Sequence, residues 1–307
     1  MQKRIVFAEG DDERILKAAS IIVRNNIAEV ILLGDIDKIL GKLGRLKLKF
    51  NVSVINPKSA NKKHEYAKKF YELRKNKGID FRKADKIIED PNYFACMMLH
   101  ENACDAALSG AVYSTPEILK PAFQIIKTRK NVRKASGAIM LKIKGRNYLF
   151  ADCSVQENPD SADLAEIARL SAKTFKKLTG ENARVAMLSY HTLSKWGNSE
   201  FFEKSRKAAA IVRKAGISAF GEIQLDAALL KNVAKRKNVK FIDANVLIFS
   251  NLDAGNIGYK LAWIFANPEM TGVIIQGLSK PVNDMSRGAS IDEIVRLAKA
   301  TVKQIRN

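Results

Sequence analysis

Apolar positions along the chain alternate between two spacings. Short apolar runs at 4–8, 30–33, 52–55, 106–108, 185–190, 218–221, 246–250 and 272–276 are bounded by Gly, Pro, Asn, Asp or Ser and read as strands. Between them the spacing becomes helical, as at Ile15, Ala18, Ala19, Ile22 and Val23 behind an acidic start. Helices are predicted over 62–77, with Gly78 as a C-terminal stop, and over 92–102, 115–126, 160–178, 200–214, 226–233, 256–265 and 291–305. Strands that alternate with helices predict an α/β fold with mainly parallel sheets. One feature breaks the alternation. Lys144-Gly145-Arg146 joins the runs 135–143 and 147–152 as a hairpin, and this is the expected transition between domains.

In such folds ligands gather in loops at the carboxyl ends of strands. Those loops are 9–12, 109–115, 190–197, 251–258 and 276–289. The last is the most informative. Ser286-Arg287-Gly288 lies just before a helix, where free N–H groups and the helix dipole suit an anion. Arg287 has a guanidinium to fork onto phosphate oxygens, and Gly288 permits close backbone approach. Other features have plain readings. Ser290-x-x-Glu293 is a capping box, 280–284 reads as an ordinary turn, and Asn256 reads as the N-cap of a tight strand-to-helix loop. Arg74, on the helix with Tyr71, reads as part of a basic face or as an anion ligand.

Charge sharpens this picture without deciding it. The chain of 307 residues has 53 Lys and Arg against 32 Asp and Glu, a net charge of +21. Anionic ligands would profit from that excess. Residues 127–146 hold eight basic residues and no acid, but no aromatic residues interleave them as a nucleic-acid platform requires. Cys96, Cys104 and Cys153 form no C-x-x-C pair, and His64, His100 and His191 have no metal-like spacing, so neither a disulfide framework nor a metal site is expected. There is no P-loop, G-x-G-x-x-G or G-x-S-x-G. The first fifteen residues carry four acids and no apolar stretch as long as a leader's, and no run of about 18 apolar residues occurs, so a cytoplasmic protein without a leader or membrane span is expected.

Several blocks in order resemble the phosphate acetyltransferase and phosphate butyryltransferase family. They are Phe7-Ala-Glu-Gly-Asp-Asp-Glu-Arg14, Tyr71-Glu-Leu-Arg74, Leu108-Ser-Gly-Ala111, Phe150-Ala-Asp152, Val185-Ala-Met-Leu-Ser-Tyr190, Gly221-Glu-Ile-Gln-Leu-Asp-Ala-Ala228, Gly255-Asn-Ile-Gly-Tyr-Lys260 and 276–288. The resemblance implies reversible acyl transfer from acetyl-CoA to phosphate, giving acetyl phosphate and CoA. It also implies two α/β domains of isocitrate/isopropylmalate-dehydrogenase-like architecture with a cleft between them, a homodimer, no tightly bound cofactor and CoA as substrate. The expected domains are 1–127 plus 286–307, and 128–285, the second carrying the dimer contact.

In family terms Ser286 stabilises the oxyanion, Arg287 binds phosphate, and Asp292 or Glu293 takes the thiol proton. Arg74, Lys120, Ser109, Thr192, Asn256, Lys280 and Asn283 are the implied substrate-binding groups. Some positions depart from the family pattern. Glu293 and Lys120 stand where the family has Asp and Arg, Ala289 replaces a cysteine, and 189–197 and 249–253 are rewritten. Those departures keep a second expectation open: a member with other, butyryl-like acyl specificity, or one that binds CoA or acyl phosphate with little turnover.

Overall fold

The structure is a computed structural model that describes residues 2–193 and 200–305; the side chains of 200–202 are also left undescribed. The chain forms two compact units, residues 1–129 with 278–307, and residues 130–277.

The first unit begins β1 (Arg4–Phe7), α1 (Glu13–Arg24), β2 (Glu29–Leu33), α2 (Ile36–Arg45), β3 (Ser53–Ile55) and α3 (Lys63–Arg74). It continues with α4 (Phe81–Ile87), α5 (Pro91–His100), β4 (Ala106–Ser109) and α6 (Thr115–Pro121). Gly78 takes a left-handed φ of 77° at the end of the short helical turn after α3, as the stop signal predicts. Caps set the helix starts. Asp12 accepts from the Arg14 N–H at α1, and Asp90 with Pro91 opens α5. Two helices, α2 and α4, are absent from the sequence reading, although α2 carries Ile36, Ile39, Leu40 and Leu43 at helical spacing.

The second unit contains β5 (Ser136–Ile143), β6 (Arg146–Ala151), α7 (Ser161–Thr179), β7 (Val185–Leu188), α8 (Glu200–Lys214) and β8 (Ala219–Ile223). It continues through α9 (Leu225–Leu229), α10 (Lys231–Arg236), β9 (Val246–Ile248), α11 (Leu252–Ala266) and β10 (Glu269–Gln276). The chain then rejoins the first unit for β11 (Val282–Asp284) and α12 (Ile291–Gln304).

The first unit's sheet has the order β11-β4-β1-β2-β3, with every neighbouring pair parallel. Ile5, Val6, Phe7, Leu32 and Leu33 are fully buried in it, so the strands read as continuous apolar runs rather than alternating ones. The second unit's sheet has the order β10-β5-β6-β9-β7-β8. Its β6-β9-β7-β8 part is parallel, while β5 pairs antiparallel with both β6 and β10. Ile139, Phe150, Leu247 and Phe249 are among the residues of its core.

Three expectations need correction. The hairpin at Lys144-Gly145 lies inside the second unit, because both of its strands belong to that unit's sheet. Residues 278–285, assigned to the second domain, fall in the first unit, because β11 adds to the edge of its sheet beside β4. The chain passes between units near 129 and 277, where the Ser279 N–H donates to the Lys127 carbonyl at 2.9 Å. Finally, α11 starts four residues before Asn256. Asn251 is its N-cap, its Oδ1 accepting the Ala254 N–H at 2.9 Å.

Candidate active site

Three adjacent parallel strands, β11, β4 and β1, end on the same edge of the first unit's sheet. The register pairs Phe7 with Leu108 and Asp284 with Ser109. Their carboxyl ends lead to Glu9, to residues 110–113 and to Met285-Ser286-Arg287-Gly288. This is where a parallel sheet presents its ligand-binding loops.

Glu9 organises the middle loop. It is buried, and its two oxygens accept four consecutive main-chain N–H groups: Gly110 at 2.9 Å, Ala111 at 3.0 Å, Val112 at 2.7 Å and Tyr113 at 2.9 Å. A carboxylate so occupied holds a loop in shape.

Arg14 ties two loops together. Its guanidinium donates to the carbonyls of Ala111 at 2.9 Å, Arg287 at 2.6 Å and Ala289 at 3.3 Å, and pairs with Asp12 at 2.8 Å. The fixed fork of arginine suits several acceptors at once. With its carbonyl held from behind, the Arg287 side chain is left exposed and free of hydrogen bonds to any described residue. Its charge is felt by the Glu117 and Asp284 carboxyls.

Asp284 is buried at the end of β11. Its Oδ2 accepts from the Thr115 hydroxyl at 2.5 Å. Burial pushes this carboxyl up to about 7; the Thr115 hydrogen bond opposes that shift, the Glu9 charge reinforces it and the Arg287 charge opposes it. Gly110 is required beside it. At φ +116° a Cβ there would stand 2.2 Å from the Met285 carbonyl oxygen and 2.3 Å from Asp284 Oδ1.

The residues expected from sequence fall into groups. Ser109, Ser286, Arg287, Asp292 and Glu293 lie at or just beyond these strand ends. Ser286 is exposed and its Oγ accepts the Gly288 N–H at 3.3 Å; the Ser109 Oγ is buried with no hydrogen-bond partner. Glu293 and Ser290 form the capping box of α12, one Glu293 oxygen accepting the Ser290 N–H at 2.7 Å. Asp292 is exposed on the first turn. Lys120 is exposed on α6, one turn beyond Glu117. Arg74 ends α3, partly buried, with an Nε that has no hydrogen-bond partner.

Two expected ligands are spent internally. The Lys280 ammonium donates to the Leu99 carbonyl at 2.6 Å and to Asn102 Oδ1 at 2.6 Å, capping the end of α5. The Asn283 side chain is fully buried and donates to Thr301 at 2.8 Å and Gln304 at 2.5 Å on α12. Most of the expected turn 280–284 is thus a strand: Pro281 leads into β11, and the Ala107 N–H donates to the Pro281 carbonyl at 3.1 Å.

In the second unit, the Thr192 hydroxyl donates to Gln224 Oε1 at 3.1 Å and accepts the Gln224 N–H at 3.0 Å. The Asn256 amide donates to the Cys153 carbonyl at 3.0 Å. This tie accompanies a close approach in which a Cβ on Gly255 would meet the Asp152 oxygen at 2.0 Å. Of the rewritten loop 189–197, residues 194–197, with Trp196, lie outside the described residues.

Glu9, Arg14, Thr115 and Asp284 were missed as individual site residues. A signal existed, since Glu9 follows β1, Arg14 lies in the first turn of α1, Thr115 opens α6 beyond β4 and Asp284 ends β11. What was missing was knowledge that those strands are neighbours.

The family model described as phosphate acetyl/butaryl transferase matches residues 1–302. A phosphate acetyltransferase of Clostridium acetobutylicum is 42% identical over 316 residues, covering 99% of this chain and 94% of that relative. A solved phosphotransacetylase from Streptococcus pyogenes superposes with a TM-score of 0.92 at 35% identity, over 99% of this chain and 94% of that one. A more distant structure, a putative 4-hydroxythreonine-4-phosphate dehydrogenase from Salmonella typhimurium, shares the fold at a TM-score of 0.59 and 11% identity. With the whole length matched and the Ser286-Arg287 loop seated at the strand ends, the chain belongs to the phosphate acetyl/butaryl transferase family and is an acyltransferase.

Proposed function

We propose that this acyltransferase interconverts acetyl-CoA and phosphate with CoA and acetyl phosphate, by direct attack of the CoA thiolate on the acyl carbon. The observation that carries this reading is Arg287. It is an unengaged guanidinium whose own carbonyl is pinned by Arg14, next to the Ser286 hydroxyl and a helix start. Its fork suits the phosphate group, and we assign Ser286 to donate to the acyl oxygen as negative charge develops there.

A thiol with a pKa of about 8.5 needs a base. We assign that role to Glu293, with Asp292 as the neighbouring candidate. One Glu293 oxygen is held by the Ser290 N–H, which fixes the carboxylate and leaves the other oxygen for the thiol proton. The S–H bond breaks toward Glu293 and sulfur bonds the acyl carbon. The C–O bond to phosphate then breaks, and phosphate leaves with that electron pair. No cofactor enters this sequence and CoA is a substrate. Arg74 and Lys120 add positive charge for polyanionic ligands. Ser109, Thr192 and Asn256 are assigned as polar contacts to substrate.

The proposed assembly is a homodimer. On α11 only Gly255 is buried, while Ile257, Leu261, Ile264 and Phe265 are exposed along one face, Phe265 by 82%. A patch of that kind marks an interaction surface, and a second copy is the occupant expected of a dimeric enzyme. No described helix is long and apolar enough to cross a membrane, and three free cysteines are buried, which fits a cytoplasmic setting.

The direct test mixes purified protein with acetyl phosphate and CoA and follows thioester absorbance. Formation of acetyl-CoA is expected. CoA binding with no thioester formed overturns the assignment in favour of a non-catalytic binder.

A further inference from the structure

Asp284 is a carboxyl that the mechanism does not use, and its surroundings are unusual. It is almost completely buried at the end of β11. Its one hydrogen bond to a described side chain is to a neutral hydroxyl, Thr115. Oδ1 faces the Cβ-free side of Gly110, in a space that any other residue would fill. The charged groups that act on it are Glu9, from the loop after β1, and Arg287, three residues onward; Glu117 acts on Arg287 from α6. Among the described residues neither cation nor main-chain donor bonds it, in contrast to Glu9, which takes four N–H groups nearby. A buried carboxyl with so little support favours its neutral form.

We infer that Asp284 is a positioning residue that sets the strength of the Arg287 anion site by its protonation: neutral Asp284 leaves the full guanidinium charge for phosphate, and ionised Asp284 competes for it. The inference rests on the reading of Arg287 as the phosphate ligand. By linkage, an anion on Arg287 stabilises the protonated carboxyl, so anion binding and proton uptake from solvent are coupled. The burial that raises this carboxyl to about 7 places the switch where the enzyme would meet it. Thr115 tunes it, because its hydroxyl favours the ionised form.

Sulfate is the probe of choice, being dianionic at every pH used, unlike phosphate. Its dissociation constant is measured by titration calorimetry from about pH 6 to about pH 9. For the natural chain, binding is expected to weaken by about tenfold as pH rises, the equivalent of a one-unit change in the Asp284 pKa on binding. Asp284→Asn should lose that limb and hold its low-pH affinity throughout. Thr115→Val, which leaves Asp284 in place, should shift the midpoint to higher pH. An Asp284→Asn protein that keeps the natural limb, or a Thr115→Val midpoint that stays put, overturns the inference. Arg287→Ala separates the two readings. If it abolishes sulfate binding while Asp284→Asn keeps the limb, only the role of Asp284 fails. If it binds sulfate as the natural chain does, or if the natural chain binds none at any pH, the anion site itself fails and the inference with it.

Discussion

The Arg14 guanidinium donates to the main-chain carbonyl of Arg287 at 2.6 Å across 273 positions of sequence. One arginine thus holds the loop that presents another. Because Arg14 also holds Ala111 and Ala289, its loss should relax the whole strand-end assembly. Arg14→Lys keeps charge but has no fork for three acceptors. The expected result is a fall in kcat/KM of at least about tenfold with the protein still folded, measured by steady-state assay beside circular dichroism. Natural-level activity in Arg14→Lys removes the tether from the account.

Arg287 and Glu293 should show opposite balances between activity and stability. Arg287→Ala should cost about 10²-fold or more in kcat/KM and change unfolding free energy by no more than about 0.5 kcal/mol, since its side chain is exposed. Glu293→Gln retains an acceptor for the Ser290 N–H, so the helix cap should survive while kcat falls. If Glu293→Gln keeps its rate and Asp292→Asn loses it, the base is Asp292.

Lys280 should behave as a structural residue. Its ammonium caps the end of α5, and burial lowers its pKa. Lys280→Met is expected to cost about 1–2 kcal/mol in a urea titration. KM for CoA and acetyl phosphate should stay within about twofold of the natural value. A large rise in either KM returns Lys280 to the substrate site.

The contribution of Asp284 and Asp152 to folding stability should fall as pH rises from about 4 to about 7. Asp284 and Asp152 are both buried, and burial raises them to about 7 and about 6, above their unfolded value near 3.8. In that window the native state holds more protons than the unfolded state, so the stability they contribute is full at low pH and is lost as they ionise. Against the natural chain, Asp284→Asn should therefore gain stability at pH 8 relative to pH 4. Denaturant titrations at the two values check this; an identical difference at both pH values contradicts the raised carboxyl.

Much of the fold was legible because strand and helix are written in short-range periods. The buried strands of the first sheet, the capping box at Ser290 and the stop at Gly78 need only a few neighbouring residues. The strand β11 was not legible, since three residues after a proline have too little pattern to separate from a turn. Its pairing with β4 is what moves 278–285 into the first unit.

By itself the sequence determined the α/β alternation, the loops able to hold ligand, and the ordered blocks that resemble one family. Only the tertiary structure decided which polar side chains meet. Glu9 reaches Gly110 across 101 positions, Thr115 reaches Asp284 across 169, and Lys280 turns back to α5. Local period tells a side chain which face of its own element it occupies. Its partner, its burial and hence its charge state depend on which distant strands lie side by side, and that is a property of the folded sheet.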